Sequence, residues 1–337
     1  MGIAFQLLAR FLMLILFLII IWSFIFIVML ILPGDPIAGA VLPSEAPQEA
    51  IQYLRKELGL DLPPHIRYIN YMTKILTGDL GFSWSLKRSV YDAIFSAMPT
   101  TIELTIFSMI VAFFISQIIA FLSIVKMNTF FENLFNLYNI VMLSTPVVVI
   151  GPILQYVFGI WLNVLPAGGK LDPWIIYTPR TGFVTIDCIL DKNLACITNY
   201  MSHMILPTIT LGLIFGSFFA VITINSMIQT LGEDYVTAAL AKGLSTFYVL
   251  RHYVYRNAIF PVITIMSLET GSLFAGAIVT ENIYNLPGMG RLIYTGFLSR
   301  DLPLVSGCLV FSTMIIGILL FIMDLIYVLL DPRAKRI

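Results

Sequence analysis

Residues Glu233–Pro261 read EDYVTAALAKGLSTFYVLRHYVYRNAIFP and form a polar stretch between two long apolar runs. The first half of this stretch carries three small residues on a short predicted helix, namely Ala238, Ala239 and Ala241. We expect that helix to end at Gly243, because glycine readily adopts the left-handed conformation that closes a helix. Small side chains let another surface approach closely, so the stretch is typical of a loop that a second protein grips.

The second half of the stretch predicts another short helix. Ser245 or Thr246 can cap its start, since a hydroxyl there accepts a hydrogen bond from a free backbone N–H. We expect this helix to run to Arg256 and Asn257 and to end before Pro261. The sequence therefore predicts two helices joined at Gly243.

The composition is that of a membrane protein. The chain has 337 residues, of which 59% are hydrophobic and 11% charged, and its mean hydropathy is +0.94. A soluble domain is about one quarter charged. The formal net charge of zero gives no sign of nucleic-acid binding, and three cysteines and three histidines are too few for a cysteine-rich metal site or a disulfide scaffold.

Six apolar runs are long enough to cross a bilayer, which takes about 20 residues. We expect Pro146 and Pro152 to kink the third run and Pro166 to help end it. The runs are Phe11–Leu32, Leu104–Val125, Asn133–Gly169, His203–Leu231, Asn257–Thr280 and Pro303–Met323. The sequence thus predicts an all-α polytopic membrane protein with six transmembrane helices.

The first run could instead be a signal peptide, because the AGA at 38–40 resembles a cleavage site. Secretory apolar regions span about 7–15 residues, whereas this run has 22. We therefore favour an uncleaved first helix.

Six spans place both termini on one side, together with the loop reached after four spans. Positive charge concentrates on that side, at Arg10, Lys126, Lys242, Arg251, Arg256, Arg333, Lys335 and Arg336. By the positive-inside rule this side is cytoplasmic.

The predicted organisation has four parts. Residues 1–32 are the cytoplasmic tail and first helix, and 33–100 are an extracytoplasmic helical segment. A five-helix core over 101–330 includes the cytoplasmic loop 232–258, and 331–337 form a cytoplasmic tail. Within 33–100, helices are predicted over Ala46–Leu58 and Pro63–Leu76, which form either a packed cap or a docking platform for another protein.

A second outer segment, about 166–202, contains Cys188 and Cys196. In an oxidising compartment the two could form a disulfide, and the alternative is two free thiols.

Sequence signatures of catalysis are missing from the chain. It has no GxxxxGK[ST] motif for ATP, no HExxH and no GxSxG. His65, His203 and His252 are far apart in sequence and fit ordinary polar positions better than a ligand set. We expect a protein without catalytic residues, metal or cofactor, whose uphill work is driven by a partner.

Seven short motifs, in order along the chain, resemble the B-type permease subunit of dipeptide, oligopeptide and nickel ABC importers. They are ILPGDP at 31–36, ELGLD at 57–61, GDLGFS at 78–83, HMILPTITLG at 203–212, the Glu233–Pro261 loop, AGAIVTENIYNLPGMGRL at 275–292 and DLIYVLLDPR at 324–333. The resemblance covers nearly the whole chain.

This resemblance implies a type I ABC importer fold in the bacterial inner membrane. It implies a heterodimer with a homologous second permease subunit, two cytoplasmic ABC ATPase subunits and an extracytoplasmic substrate-binding protein. In the family, the loop sits in a groove of the ATPase and is called the coupling loop. The residues that carry this role over are Glu233, Tyr235, Ala238, Ala239, Ala241, Gly243, Asn257 and Pro261.

The chain departs from the family pattern at two places. The stretch Val221–Leu231 lacks the arginines that family members often carry there. Glu269 stands in the middle of the fifth run, where the family usually has glutamine. A carboxylate at that depth costs about 2.5–3.5 kcal/mol, so Glu269 with Ser272 is a candidate for the translocation path. The alternative is a packing residue.

The leading functional hypothesis is a permease for di- or oligopeptides. A permease for nickel or another small substrate has the same architecture. A membrane scaffold or channel without ATPases is a third possibility, which the coupling loop disfavours.

Overall fold

The computed structural model describes residues 3–31, 56 and 61–330. Apart from Lys56, the predicted helix Ala46–Leu58 lies outside the described residues. The chain divides into two compact units. Unit 1 comprises Met1–Thr100 and Pro287–Ile337, and unit 2 comprises Thr101–Leu286.

Unit 1 is built around its first and last long helices, α1 (Ile3–Ile31) and α12 (Leu302–Leu330). Gly317 lets them approach, because a Cβ at this position would lie 2.7 Å from the Leu14 side chain. The indole Nε1 of Trp22 donates to the Thr313 hydroxyl at 3.2 Å. The pair thus combines close packing with a hydrogen bond between the helices.

A short hairpin precedes the third helix in unit 1. Strands β1 (Phe82–Ser83) and β2 (Arg88–Ser89) pair antiparallel. The buried carboxylate of Asp301 accepts hydrogen bonds from the Ser83 hydroxyl and from the Ser85 backbone and hydroxyl. The hairpin is therefore fixed to the turn before α12. Unit 1 also contains, within its described residues, α2 (Pro64–Leu76), the start of α3 (Val90–Val125) and α11 (Met289–Leu298).

Unit 2 holds the rest of α3 and the elements up to residue 286. These are α4 (Phe130–Ser144), α5 (Val147–Leu154) with a π-helical continuation (Gln155–Trp161), α6 (Val184–Leu190), α7 (Leu194–Leu231), α8 (Asp234–Ala241), α9 (Thr246–Val249) with a π-helical continuation (Leu250–Val254), and α10 (Tyr255–Ile283).

Glycines let α7 pack tightly against its neighbours. A Cβ at Gly212 would lie 2.5 Å from Val111 of α3, and one at Gly216 would lie 2.9 Å from Ile115. A Cβ at Gly276 of α10 would lie 3.1 Å from Leu211. These small residues, whose spacing predicts close helix approach, lie at helix contacts within unit 2.

Among the residues that the structure describes, five helical segments are long and apolar enough to cross a membrane: Leu8–Ile31, Val90–Val125, Leu194–Leu231, Thr246–Ile283 and Leu302–Ile322. The sixth predicted span is a bent pair, Phe130–Ser144 and Val147–Trp161, whose axes meet at 108°. The chain is therefore an all-α polytopic membrane protein, with six spans if the bent pair crosses once.

The bend lies at Pro146, and it is sharper than the predicted kink. The residue before proline is driven out of the helical region, and Thr145 has φ −100° and ψ 121°. The prolines at 99, 152, 207 and 261 lie inside helices instead. The prediction that the second loop helix ends before Pro261 is thus wrong, because a helix held by its neighbours can lose one backbone hydrogen bond and continue.

Candidate functional site

The predicted coupling loop, residues 233–261, begins with two short helices whose caps follow the sequence rules. Lys242 ends α8, and Gly243 follows with φ +80°. The Ser245 hydroxyl accepts from the Tyr248 backbone N–H at 3.4 Å and caps α9. Of the two predicted capping residues, the structure uses Ser245.

One face of the loop is buried in unit 2. Val236 and Ala239 of α8 pack in a cluster with Ile124 at the end of α3 and Met227 near the end of α7. Ala239 is therefore a packing residue and does not belong to the accessible face on which the sequence grouped it with Ala238 and Ala241. Helix α8 is therefore packed against the ends of two long helices, α3 and α7.

The opposite face of the loop is exposed, with small and apolar side chains. Ala238 and Ala241 lie on it beside larger groups, and Glu233, Gly243, Asn257 and Pro261 are exposed as well. The large apolar side chains on this face are Tyr235, Leu240, Phe247 and Tyr248. Such a surface suits protein contact, because close approach and apolar burial are both possible there.

A hydrogen bond closes the two halves of the loop on each other. The Asn257 Nδ2 donates to the Tyr235 hydroxyl at 2.8 Å and to the Tyr253 carbonyl at 2.9 Å. Asn257 lies in the first turns of α10, so α8 is linked directly to the helix that holds Glu269.

The two residues proposed for the translocation path, Glu269 and Ser272, lie about one turn apart on α10. Glu269 is half-buried and Ser272 is exposed on α10. Gly276, one turn further, packs against α7. Ser272 is therefore accessible, whereas Gly276 lies at the contact with α7.

A buried acid that the sequence analysis missed lies at the other end of the unit. Glu103 of α3 is buried, and it accepts from the Tyr200 hydroxyl at 2.5 Å and from the Thr185 backbone N–H at 3.0 Å. Glu103 immediately precedes the apolar run Leu104–Val125. An acid at the edge of a membrane span is a candidate functional residue, and this position in the sequence could have identified it.

Two charged groups lie near Glu103. Burial lowers the pKa of Lys170, and the carboxylates of Glu103 and Asp187 oppose that change. Burial also disfavours the Asp187 carboxylate, but hydrogen bonds from the backbone and hydroxyl of Thr181 and from the Arg180 and Gly182 backbones outweigh it and lower its pKa. These groups are therefore arranged to hold Asp187 as a carboxylate.

The two cysteines of this region are placed as a disulfide pair. Cys188 lies in α6 and Cys196 in the first turn of α7, with Cα atoms 5.7 Å apart. Both are buried. A disulfide here would hold α6 against α7. It would also hold in place the Thr185 backbone that donates to Glu103. In the part of the chain that the structure describes, no three His, Cys, Asp or Glu side chains are grouped to hold a metal ion.

Comparison with known proteins finds relatives that match at least 90% of the chain. The chain is 36% identical over 306 residues to the dipeptide transport system permease protein DppB of Alkalihalophilus pseudofirmus, covering 90% of this chain and 91% of the relative. It is 33% identical over 312 residues to the probable D,D-dipeptide transport system permease protein DdpB of Escherichia coli, covering 92% of each. It is 32% identical over 318 residues to the glutathione transport system permease protein GsiC of Salmonella typhimurium, covering 94% of each.

Family comparison gives the same assignment. Residues 3–105 match the N-terminal domain of the binding-protein-dependent transport system membrane component. Residues 112–336 match the binding-protein-dependent transport system inner membrane component. The chain therefore belongs to this family of multi-pass inner-membrane permease components of ABC importers.

Proposed function

We propose that the chain is a peptide-translocating permease subunit of an ATP-driven importer. The observation that carries the proposal is the coupling loop, whose exposed small and apolar face lies opposite a face buried against α3 and α7. The most similar relatives described above transport dipeptides, which favours a peptide substrate over nickel.

In this proposal the exposed face of the loop binds a cytoplasmic ATPase. The loop then lies over 232–258, both termini are cytoplasmic, and 33–100 with 166–202 face the outside. A homologous second permease supplies the other half of the path, two ATPases bind beneath, and a substrate-binding protein docks outside. ATP hydrolysis belongs to the ATPases, and the chain has no catalytic role of its own.

Two features of the loop support a role in coupling. The buried contacts of Val236 and Ala239 carry displacement of α8 to the ends of α3 and α7. The bond from Asn257 to Tyr235 carries it to α10. Since Glu269 and Ser272 lie further along α10, movement of the loop would reach the proposed path through one continuous helix.

The experiment is purification of the complex in detergent with its partner subunits, followed by crosslinking from Ala238→Cys to single cysteines in the ATPase groove. Crosslinking at Ala238 with none at Arg256→Cys, outside α8, would support the assignment. Substrate-stimulated ATP hydrolysis should fall in the crosslinked complex. A permease that purifies without ATPases, or transports peptide without them, would refute the proposal.

A further inference from the structure

Helix α2 (Pro64–Leu76) carries two apolar faces, of which the fold covers one. Tyr71 and Ile75 face inward, in a cluster with Trp22, Ile25 and Val310. Ile66 and Ile69 of the same helix are exposed. Only part of the apolar surface of α2 therefore contacts α1 and α12.

The uncovered face is a stripe of four aliphatic side chains. Leu62, Ile66, Ile69 and Leu76 are 39%, 37%, 58% and 78% exposed. Ile66, Ile69 and Leu76 recur at helical spacing on one side of α2, and Leu62 lies just before the helix begins. Exposed polar groups adjoin the stripe, among them Asn70 and Lys74. The uncovered apolar positions thus extend along most of a helix of 13 residues.

The contacts of α2 fix its depth along two membrane spans. The Tyr68 hydroxyl bonds the Ser23 hydroxyl at 2.8 Å, and the rings of Tyr68 and Tyr71 each lie 5.4 Å from that of Phe26. Ser23 lies eight residues before the end of α1 at Ile31, which is about 12 Å at 1.5 Å per residue. The apolar core of a bilayer is about 30 Å thick, so this contact lies at hydrocarbon depth.

The other span gives the same depth. Val310 shares the cluster with Tyr71 and Ile75, and it lies eight residues after Leu302, where α12 begins. Again this corresponds to about 12 Å. Since α2 contacts two antiparallel spans at matching depths, it lies across them and below the membrane surface at which α1 ends.

We infer that α2 is an interfacial membrane helix whose uncovered stripe is embedded in lipid acyl chains. Ile69 and Leu76 then contact hydrocarbon beside the lipid-facing surface of α1. Lys74 extends its charge toward the phosphates of lipid headgroups, as long basic side chains do at this depth. A soluble cap or a docking site for a binding protein would instead leave the stripe in water until a partner arrived.

The experiment is spin labelling of the assembled transporter in nanodiscs of phosphatidylethanolamine and phosphatidylglycerol. Ile69→Cys and Leu76→Cys report on the stripe, and Asn70→Cys is the matched control on the adjoining polar side. All three sites are exposed, so folding is little affected. Cys308 is buried and Cys188 and Cys196 are placed as a pair; the unsubstituted protein measures their residual labelling.

Collisions with oxygen and with a water-soluble nickel complex, measured by power saturation, distinguish the environments. We expect labels at 69 and 76 to be accessible to oxygen and shielded from nickel, with the reverse at 70. Nickel access at 69 and 76 would overturn the inference. Shielding from both reagents, or nickel access that is lost when the binding protein is added, would also overturn it, because the stripe would then be a protein interface. None of these outcomes depends on the transported substrate.

Discussion

The amide of Asn257 donates to the hydroxyl of Tyr235 at 2.8 Å, across 22 positions of sequence. This bond joins the first helix of the coupling loop to the start of α10. It lies on the exposed side of the loop, so it contributes little to folding. Its value lies in fixing the angle between two helices that the ATPase is proposed to move together.

Removing this bond should weaken coupling. Tyr235→Phe removes the acceptor of this hydrogen bond, and Asn257→Ala removes the donor. A hydrogen bond of this kind contributes about 0.5–1.5 kcal/mol. We expect less peptide uptake per ATP hydrolysed in both variants, with the double variant no worse than either alone. Tyr156→Phe, at an exposed tyrosine outside the loop, is the control and should behave as wild type. Additive losses in the double variant would show that the two residues act separately.

Gly243 should tolerate only residues that accept a left-handed backbone. Its φ is +80°, and a Cβ there would meet nothing within 4 Å. Gly243→Val therefore costs about 1–2 kcal/mol through the backbone and adds bulk to the proposed ATPase contact. Uptake should fall sharply with membrane insertion retained, and Gly243→Asn should retain more activity, since asparagine enters this conformation more readily. Gly232→Ala, at φ −77°, is the control. Normal coupled uptake in Gly243→Val would remove the coupling assignment.

The pairing of Cys188 and Cys196 predicts a labelling pattern. In denatured protein that has not been reduced, maleimide should modify one thiol, Cys308, and after reduction three. Closing a loop of eight residues stabilises by roughly 2–3 kcal/mol in the chain-entropy model. Cys188→Ala should therefore lower the melting temperature, whereas Cys308→Ala should leave the labelling difference intact. Three reactive thiols before reduction would show that the pair is not bonded.

Glu269 should influence which peptides pass if it lines the path. A carboxylate there favours lysine-containing over glutamate-containing peptides, and Glu269→Gln should weaken that preference while preserving shape. The measurement is uptake of matched peptides at saturating binding protein. Ser267→Ala, which removes a hydroxyl on the same helix that donates to the Ile263 carbonyl, controls for general disturbance of α10. An unchanged ratio in a fully active Glu269→Gln variant would assign the residue to packing.

The proposed orientation predicts which cysteines an external reagent reaches. Substituted positions in 45–92 and 170–195 should react in intact cells, except those embedded with α2, and positions in 242–256 should react only after the membrane is opened. Membrane-impermeant maleimide with mass detection gives the readout. External labelling within 242–256 would invert the topology and separate the loop from any cytoplasmic ATPase.

Local signals account for the parts of the fold that the sequence predicted. The apolar runs depend on consecutive residues of the chain. The glycine turn at Gly243, the Ser245 cap and the bend at Pro146 each depend on residues within about four positions of one another. Backbone geometry and burial of apolar side chains determine these features, so they can be inferred from the chain in isolation.

Only the tertiary structure decided the pairings between distant residues. Glu103 meets Tyr200 and Thr185 across more than 80 positions, and no local pattern specifies those partners. Whether an apolar or small residue meets protein depends equally on distant neighbours: Gly276 packs against α7 while Ile69 stays uncovered. Helical spacing fixes the face on which a side chain lies, but the neighbouring helices determine what covers that face.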